Sequence, residues 1–247
     1  MKLQRLLSLT RKAIDDYQMI QDGDRIAVGI SGGKDSLTLL IALTNLKRFY
    51  PNKFELEAIS VNLGYNEFDL SEVSKLCKKL EVSYTVVDTD IAHIVFDERK
   101  EKNPCSLCAK LRKGAFNEKA NSLNCNKVAY AHHKDDIMET LMMSLLFEGR
   151  LSSFEPVTYL DKTGLTVIRP LMFLEERDIR SFALENHLPV QKNPCPVDGY
   201  TKREYAKNLI KQLNKENPGA RERIFHAITS SNLPGWGESE HVRTSKQ

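Results

Sequence analysis

Long apolar runs are missing from this sequence. No stretch approaches the roughly 18 apolar residues of a bilayer-crossing helix, so no membrane span is expected. Cysteine is sparse: five among 247 residues, an odd number that argues against a disulfide scaffold. Neither sign of charge dominates. With 36 Lys and Arg against 33 Asp and Glu, the net charge of +3 does not by itself imply a nucleic-acid partner. Repeat arrays and low-complexity tracts are absent. The opening segment MKLQRLLSLTRKAIDDYQMI spaces Leu3, Leu6, Leu7, Ile14 and Tyr17 as on a helix. It carries charges throughout and has no small-residue cleavage site, so it does not read as a secretory signal, and a cytoplasmic location is expected.

What is present is a chain with 41% hydrophobic residues, enough for one large core. Short apolar runs alternate with amphipathic segments. Ile26–Ile30, LEAISVNLG, SYTVVDT, KVAYA and LTVIRPL read as strands; Lys34–Tyr50, LSEVSKLCKKLEV, DDIMETLMMSLLFEG and Glu175–Asn186 read as helices. Asn103–Asn121 reads as a loop that becomes a helix. Strands alternating with helices predict an α/β fold, a parallel doubly wound sheet covered on both faces, with ligands at the carboxyl ends of the strands. The expected organisation is an α/β domain with its N-terminal helix over 1–188, a helical extension over 189–235, and a mobile tail over 236–247.

The loop SGGKDS, Ser31 to Ser36, sits between the first strand and its helix. Gly32 and Gly33 let the backbone turn tightly and approach a ligand. The helix N-terminus offers N–H groups, Lys34 adds charge, and Ser31 and Ser36 add hydroxyl donors. These features make a cradle for pyrophosphate. The loop is neither a Walker A motif nor a G-x-G-x-x-G dinucleotide loop. After the fourth strand, HHKDDIMET places Asp135 and Glu139 on one helical face. Acids in a first turn also serve as ordinary capping. A nucleotide brings Mg²⁺, which prefers carboxylate oxygens, and Asp135 is the candidate for holding it.

The cysteines form a pattern of their own. KNPCSLC (102–108) and KNPCPVD (192–198) share Lys-Asn-Pro-Cys, so Cys105, Cys108 and Cys195 fall in two matching frames, with Asp198 in register with Cys108. Three thiolates suit an iron–sulfur cluster, a persulfide and resolving-disulfide pair, or zinc. Cys77 and Cys125 read as small buried hydrophobes. Basic residues crowd both frames: Lys110, Arg112 and Lys113 near the first, Arg203 and its neighbours after the second. Such runs are often solvated helix faces; beside the same cysteines they point to a polyanion. Arg169 either faces phosphate or pairs with Glu175 or Asp178, and Trp236 offers one aromatic ring near the C-terminus.

Strand, SGGKDS, helix resembles the PP-loop ATP pyrophosphatase superfamily, whose members adenylate an oxygen and release pyrophosphate. HHKDDIMET resembles the His-x-x-Asp-Asp-x-x-Glu-Thr signature of its tRNA-modifying members, with Ala131 where Gly is common. Cys105, Cys108 and Cys195, together with VIRPLMFLEERDI and NPGARERIF, resemble the tRNA 2-thiocytidine synthetase family over about residues 3 to 230. Zinc-ribbon thiouridine synthetases fit less well, because no Cys precedes Cys77 or follows Cys195. The resemblance implies an adenine nucleotide alpha hydrolase-like fold and an ATP-dependent tRNA sulfurtransferase acting at C2 of a cytidine, position 32. Its implied cofactors are ATP, Mg²⁺ and a [4Fe-4S] cluster on Cys105, Cys108 and Cys195. ATP contacts would come from Ser31–Ser36, Ala131 and His132, catalysis from Lys34, Asp35 and Asp135, and tRNA contacts from Lys110, Arg112, Lys113 and Arg203. A cysteine desulfurase or other sulfur donor is the implied partner, and a homodimer is an allowed assembly. Lysidine synthesis and small-molecule sulfur transfer remain as alternatives.

Overall fold

The computed structural model describes residues 1–65, 69–99, 104–191, 202–231, 233 and 235–236. The chain runs α1 (Leu3–Asp16), β1 (Asp24–Gly29), α2 (Lys34–Lys47), β2 (Phe54–Asn62), α3 (Ser71–Lys79) and β3 (Ser83–Asp88). A helical turn, α4 (Ile91–His93), then widens into a π-type turn over Ile94–Glu98. There follow α5 (Pro104–Ser122), β4 (Lys127–Ala129), α6 (Lys134–Glu148), β5 (Val157–Leu160), β6 (Leu165–Ile168), α7 (Glu176–Glu185), α8 (Lys202–Glu216) and α9 (Ala220–Ser230).

The sheet order is β3-β2-β1-β4-β6-β5. All neighbours pair parallel except β5, which returns antiparallel to β6 through a hairpin. The order reverses between β1 and β4, and the crevice outside their carboxyl ends is where such sheets hold ligands. β5 was not legible as a strand: it is short, lies at the edge, and exposes Tyr159.

Alternating strand residues divide the core. Ile26, Val28, Ala58, Ala129 and Ile168 join the large cluster with α1, α2, α6 and α7, and Ala27, Ile59, Val128 and Val167 pack under α5. α5 begins with Pro104, whose missing N–H is no loss in a first turn. Cys105 and Cys108 therefore stand on a helix and not in a loop. Ile210 of α8 and Ile228 of α9 enter the large cluster, so both C-terminal helices share the core of the sheet domain. Trp236, expected to open a mobile tail, is instead 1% exposed and meets Tyr17 edge-on at 6.2 Å. Cys77 and Cys125 are buried, and burial pushes both thiols up to about 11, as inert side chains should be.

Candidate active site

The first strand delivers Ser31–Ser36 to the crevice. Gly32 sits at φ +76°, a conformation that favours glycine, and Gly33 is the N-cap of α2. The loop is held from within: Ser36 Oγ donates to the Gly33 carbonyl at 2.9 Å, and the Gly33 N–H donates to Ser31 Oγ at 3.3 Å. Lys34 Nζ lies 2.9 Å from Asp35 and 3.4 Å from Glu176 of α7. Burial pushes the Glu176 carboxyl up, but Lys207, Lys34 and Arg180 outweigh it and hold it down at about 2. The loop lysine is thus tied to α7 and, through Glu176, to Lys207 of α8 at 2.8 Å.

The acidic helix α6 opens with a capping box. His133 Nδ1 accepts the Asp136 N–H, while the His133 N–H donates to Asp136 Oδ2 at 3.0 Å. This fixes the ring, leaving Nε2 to carry the proton 3.7 Å from Asp35 and 3.4 Å from Asp136. His133 is buried. Sequence reasoning about the motif did not single it out. The available signal was its place three residues before an acid at a helix start.

Asp135 points elsewhere. One oxygen lies 2.7 Å from Arg221 of α9, the other accepts the Glu176 N–H at 2.8 Å, and the carboxylate lines a cavity of about 540 Å³ between α6, α7 and α8. The carboxylates that face the nucleotide-sized crevice are Asp35 and Asp136. Among the described residues no three His, Cys, Asp or Glu side chains are arranged to hold a metal ion. Two carboxylates completed by phosphate oxygens are the usual way to hold Mg²⁺. Arg203, expected on tRNA, turns inward: it lies 3.4 Å from Asp136 and 3.3 Å from Glu139, and donates to Thr140 Oγ1 at 3.3 Å. Burial and then Asp136 push the Glu139 carboxyl up to about 7, against the pull of Arg203.

The crevice itself encloses about 700 Å³, within the range of nucleotide pockets. Its floor is Ser31, Gly33, Asp35 and Ser36. One side is formed by Ile59 and Val61 of β2 and by Leu63 and Tyr65 just after it, aliphatic but for the tyrosine. The opposite side is formed by Tyr130, Ala131, His132, Phe154 and Arg169. Arg169 makes no pair with Glu175 or Asp178, which engage Arg177, Arg221 and Arg5 instead. It is buried, and burial lowers its guanidinium to about 10, still charged at neutral pH.

The roof is α5. Ala109, Arg112, Lys113 and Phe116 line the crevice. Cys105 and Cys108 stand on the same stripe, at helical spacing from Ala109 and Arg112. At 1.5 Å per residue, Cys108 lies about 6 Å along the axis from Arg112. Cys105 is exposed and Cys108 half-buried. Two soft donors one turn apart fit a thiolate-bound metal or cluster that takes its remaining ligands from elsewhere. Cys195, and Asp198 with it, lie outside the described residues. Gln191, where the described chain stops before the second frame, donates its N–H to the Gly32 carbonyl at 2.9 Å, at the rim of the same crevice. Lys110, Arg112 and Lys113 are exposed.

Known proteins resemble this chain over most of its length. Residues 4–214 match the PP-loop domain model. The tRNA-cytidine(32) 2-sulfurtransferase of Geobacter sulfurreducens is 38% identical over 230 residues, covering 92% of this chain and 90% of that one. The enzyme of the same name from Geobacter metallireducens is 39% identical over 222 residues, covering 89% and 86%. Among solved structures, the U34-tRNA thiolase NcsA from Methanococcus maripaludis with its [4Fe-4S] cluster superposes with a TM-score of 0.73. It is 26% identical, over 89% of this chain and 76% of that one.

Proposed function

The chain belongs to the PP-loop family and, within it, to the tRNA-cytidine(32) 2-sulfurtransferases; from that premise we propose that it uses ATP to replace the C2 oxygen of cytidine 32 in tRNA with sulfur. The observation that carries this reading is the crevice that gathers Ser31, Gly33, Asp35 and Ser36 of the loop, the acid Asp136, and Ala109 and Arg112 of α5, each one helical turn from a cysteine.

ATP lays its β- and γ-phosphates against the N–H groups of Ser31–Ser36 at the start of α2. Asp35 and Asp136 would hold Mg²⁺, which would offset phosphate charge, and His133, fixed by its capping box, keeps the two carboxylates in register. Lys34, released from Glu176, neutralises charge on the departing pyrophosphate. The C2 carbonyl oxygen of the base forms a bond to the α-phosphorus while the α–β bridging bond breaks, so pyrophosphate leaves with the electron pair. Sulfide then bonds to C2, and the C2–O bond breaks with release of AMP. The oxygen lost from the base departs on AMP, and no redox change at carbon is needed.

Cys105, Cys108 and Cys195 are the thiolates for a [4Fe-4S] cluster of the kind found in the archaeal thiolase. When bound, such a cluster supplies an iron site without a protein thiolate, able to carry the sulfur. A cysteine desulfurase or another donor protein restores that sulfur. The basic residues Lys110, Arg112 and Lys113 on the roof take tRNA phosphates, and the loop base enters unstacked. The exposed apolar residues Leu145, Leu146 and Phe147 at the end of α6, with Leu151 after it, support a homodimer.

Anaerobic turnover with tRNA tests the reading. Release of pyrophosphate and AMP, lost in Lys34→Ala and Asp35→Ala, is expected; ADP and phosphate as the main products would overturn it.

A further inference from the structure

We propose that Arg169, His132 and Phe154 form the subsite that holds the target base and distinguishes cytosine from uracil. The inference rests on the thiolation reading above and adds to it the residues that select the substrate.

The reaction needs two rings in one crevice, adenine and the target base. The crevice has two walls of different character. The β2 side is aliphatic but for Tyr65 at its end, while the β4–β6 side gathers Tyr130, His132 and Phe154. His132 and Phe154 already stack, with ring centroids 4.1 Å apart and planes 13° from parallel. An unstacked nucleobase prefers such aromatic faces.

Arg169 is 8% exposed and belongs to this wall. Its Nη1 donates to the Glu155 carbonyl and to Thr158 Oγ1, and its Nε donates to His132 Nδ1 at 3.2 Å. Nη2 makes no hydrogen bond to a described residue, and it is not sealed off: Arg169 presents this edge to the crevice. A charged donor edge held in place by Glu155, Thr158 and His132, and open to the crevice, is set to meet a ligand acceptor. Because Nδ1 of His132 accepts from Arg169, its Nε2 carries the hydrogen and is a second donor on the same wall. Burial, with Arg169 and Arg203 nearby, holds the His132 pKa well below its ordinary value, so the ring stays neutral in this tautomer.

Cytosine presents two adjacent acceptors, N3 and the C2 carbonyl oxygen. A donor wall matches that edge and places O2 toward the nucleotide. Uracil puts an N3–H in the same place, so donor faces donor and Arg169 is left unsatisfied. One unmet buried donor corresponds to about 10- to 100-fold in affinity.

The test uses the full chain, reconstituted anaerobically, and anticodon stem-loop RNA carrying C or U at position 32. Fluorescence anisotropy of wild type should show at least about tenfold preference for C. Arg169→Gln should abolish that preference while affinity for a fluorescent ATP analogue stays within about twofold. Arg169→Lys keeps the cation and a donor for the Glu155 carbonyl but lacks the second edge, and should lose the preference too, so a misfolded glutamine variant does not decide the matter. Phe154→Leu should weaken both RNAs alike. A wild type indifferent to C or U, a retained preference in Arg169→Lys, or loss of ATP affinity in its place would overturn the assignment. Preference lost in the variants while wild type releases no pyrophosphate with tRNA would leave the base subsite standing and sink the thiolation reading instead.

Discussion

Asp135 and Asp136 are one residue apart, which is about 100° around a helix, and that rotation sends them to different places. Asp136 faces the crevice, whereas Asp135 is held by Arg221 and caps the N-terminus of α7. Asp136→Asn keeps the shape and the acceptor for the His133 N–H but removes a ligand charge. Pyrophosphate release should fall at least about 100-fold with little change in the urea midpoint. Asp135→Asn should behave oppositely, costing about 1–3 kcal/mol of stability through the unpaired Arg221 with a smaller effect on turnover. Glu139 adds a pH signature. Its carboxyl has the ordinary value of about 4.5 in the unfolded chain and is pushed up to about 7 when folded. A raised acid binds its proton more tightly in the folded state, so it favours folding at low pH, and that contribution fades as pH rises from about 4.5 to about 7. The total change is at most about 3 kcal/mol. Urea melts of Glu139→Gln should gain on wild type through that window and stay level below it. A gain that grows toward acid pH would contradict the assignment.

Elements differ in how readily the sequence gives them away. β1, α2 and β2 were legible because their apolar positions are bounded by glycine or turn residues and repeat at a clean period. β5 was hidden because four edge residues cannot show a period, and the π-type turn at Ile94–Glu98 because only tertiary packing widens it. At the site, the motif segments were legible but their rotational phase was not. Which of His132 and His133, or of Asp135 and Asp136, turns inward depends on the cap that starts α6. The same holds for Arg203, whose place on α8 looks like one more basic surface residue until α8 is laid against α6. α5 is the element where placement and chemistry meet: its exposed basic residues and its cysteines lie on one roof. Lys110 does not line the crevice, so Lys110→Glu should weaken tRNA binding and lower the salt slope by about one unit while leaving ATP affinity unchanged. Cys105→Ala should remove the brown colour and the iron without melting the helix, since Ala is the better helix former. Iron analysis and circular dichroism read the two effects separately.

For the whole molecule, the C-terminal helices act as a clamp over the active-site elements. Arg203 and Lys207 of α8 and Arg221 of α9 engage Asp136, Glu139, Glu176 and Asp135. These pairs fix how the helices are oriented, and breaking one leaves its partner charge poorly solvated. The stability of the clamp comes from burial: Ile210, Ile228 and Trp236 all lie in the large core cluster. Trp236 closes that packing against Tyr17 of the segment after α1, so the two ends of the described chain are joined through one ring. Because it is the one tryptophan in the sequence, its fluorescence reports this closure without a label. Emission should be blue-shifted in the folded protein and move red on unfolding. Trp236→Ala should destabilise by about 3–5 kcal/mol, the cost of emptying a fully buried aromatic site. It should also loosen the hold of α8 and α9 on α6, so turnover falls although no reacting atom is touched. Trp236→Phe, which refills most of the volume, should restore both stability and turnover. A Trp236→Ala variant with unchanged urea midpoint would show that the C-terminal segment does not close the core in solution.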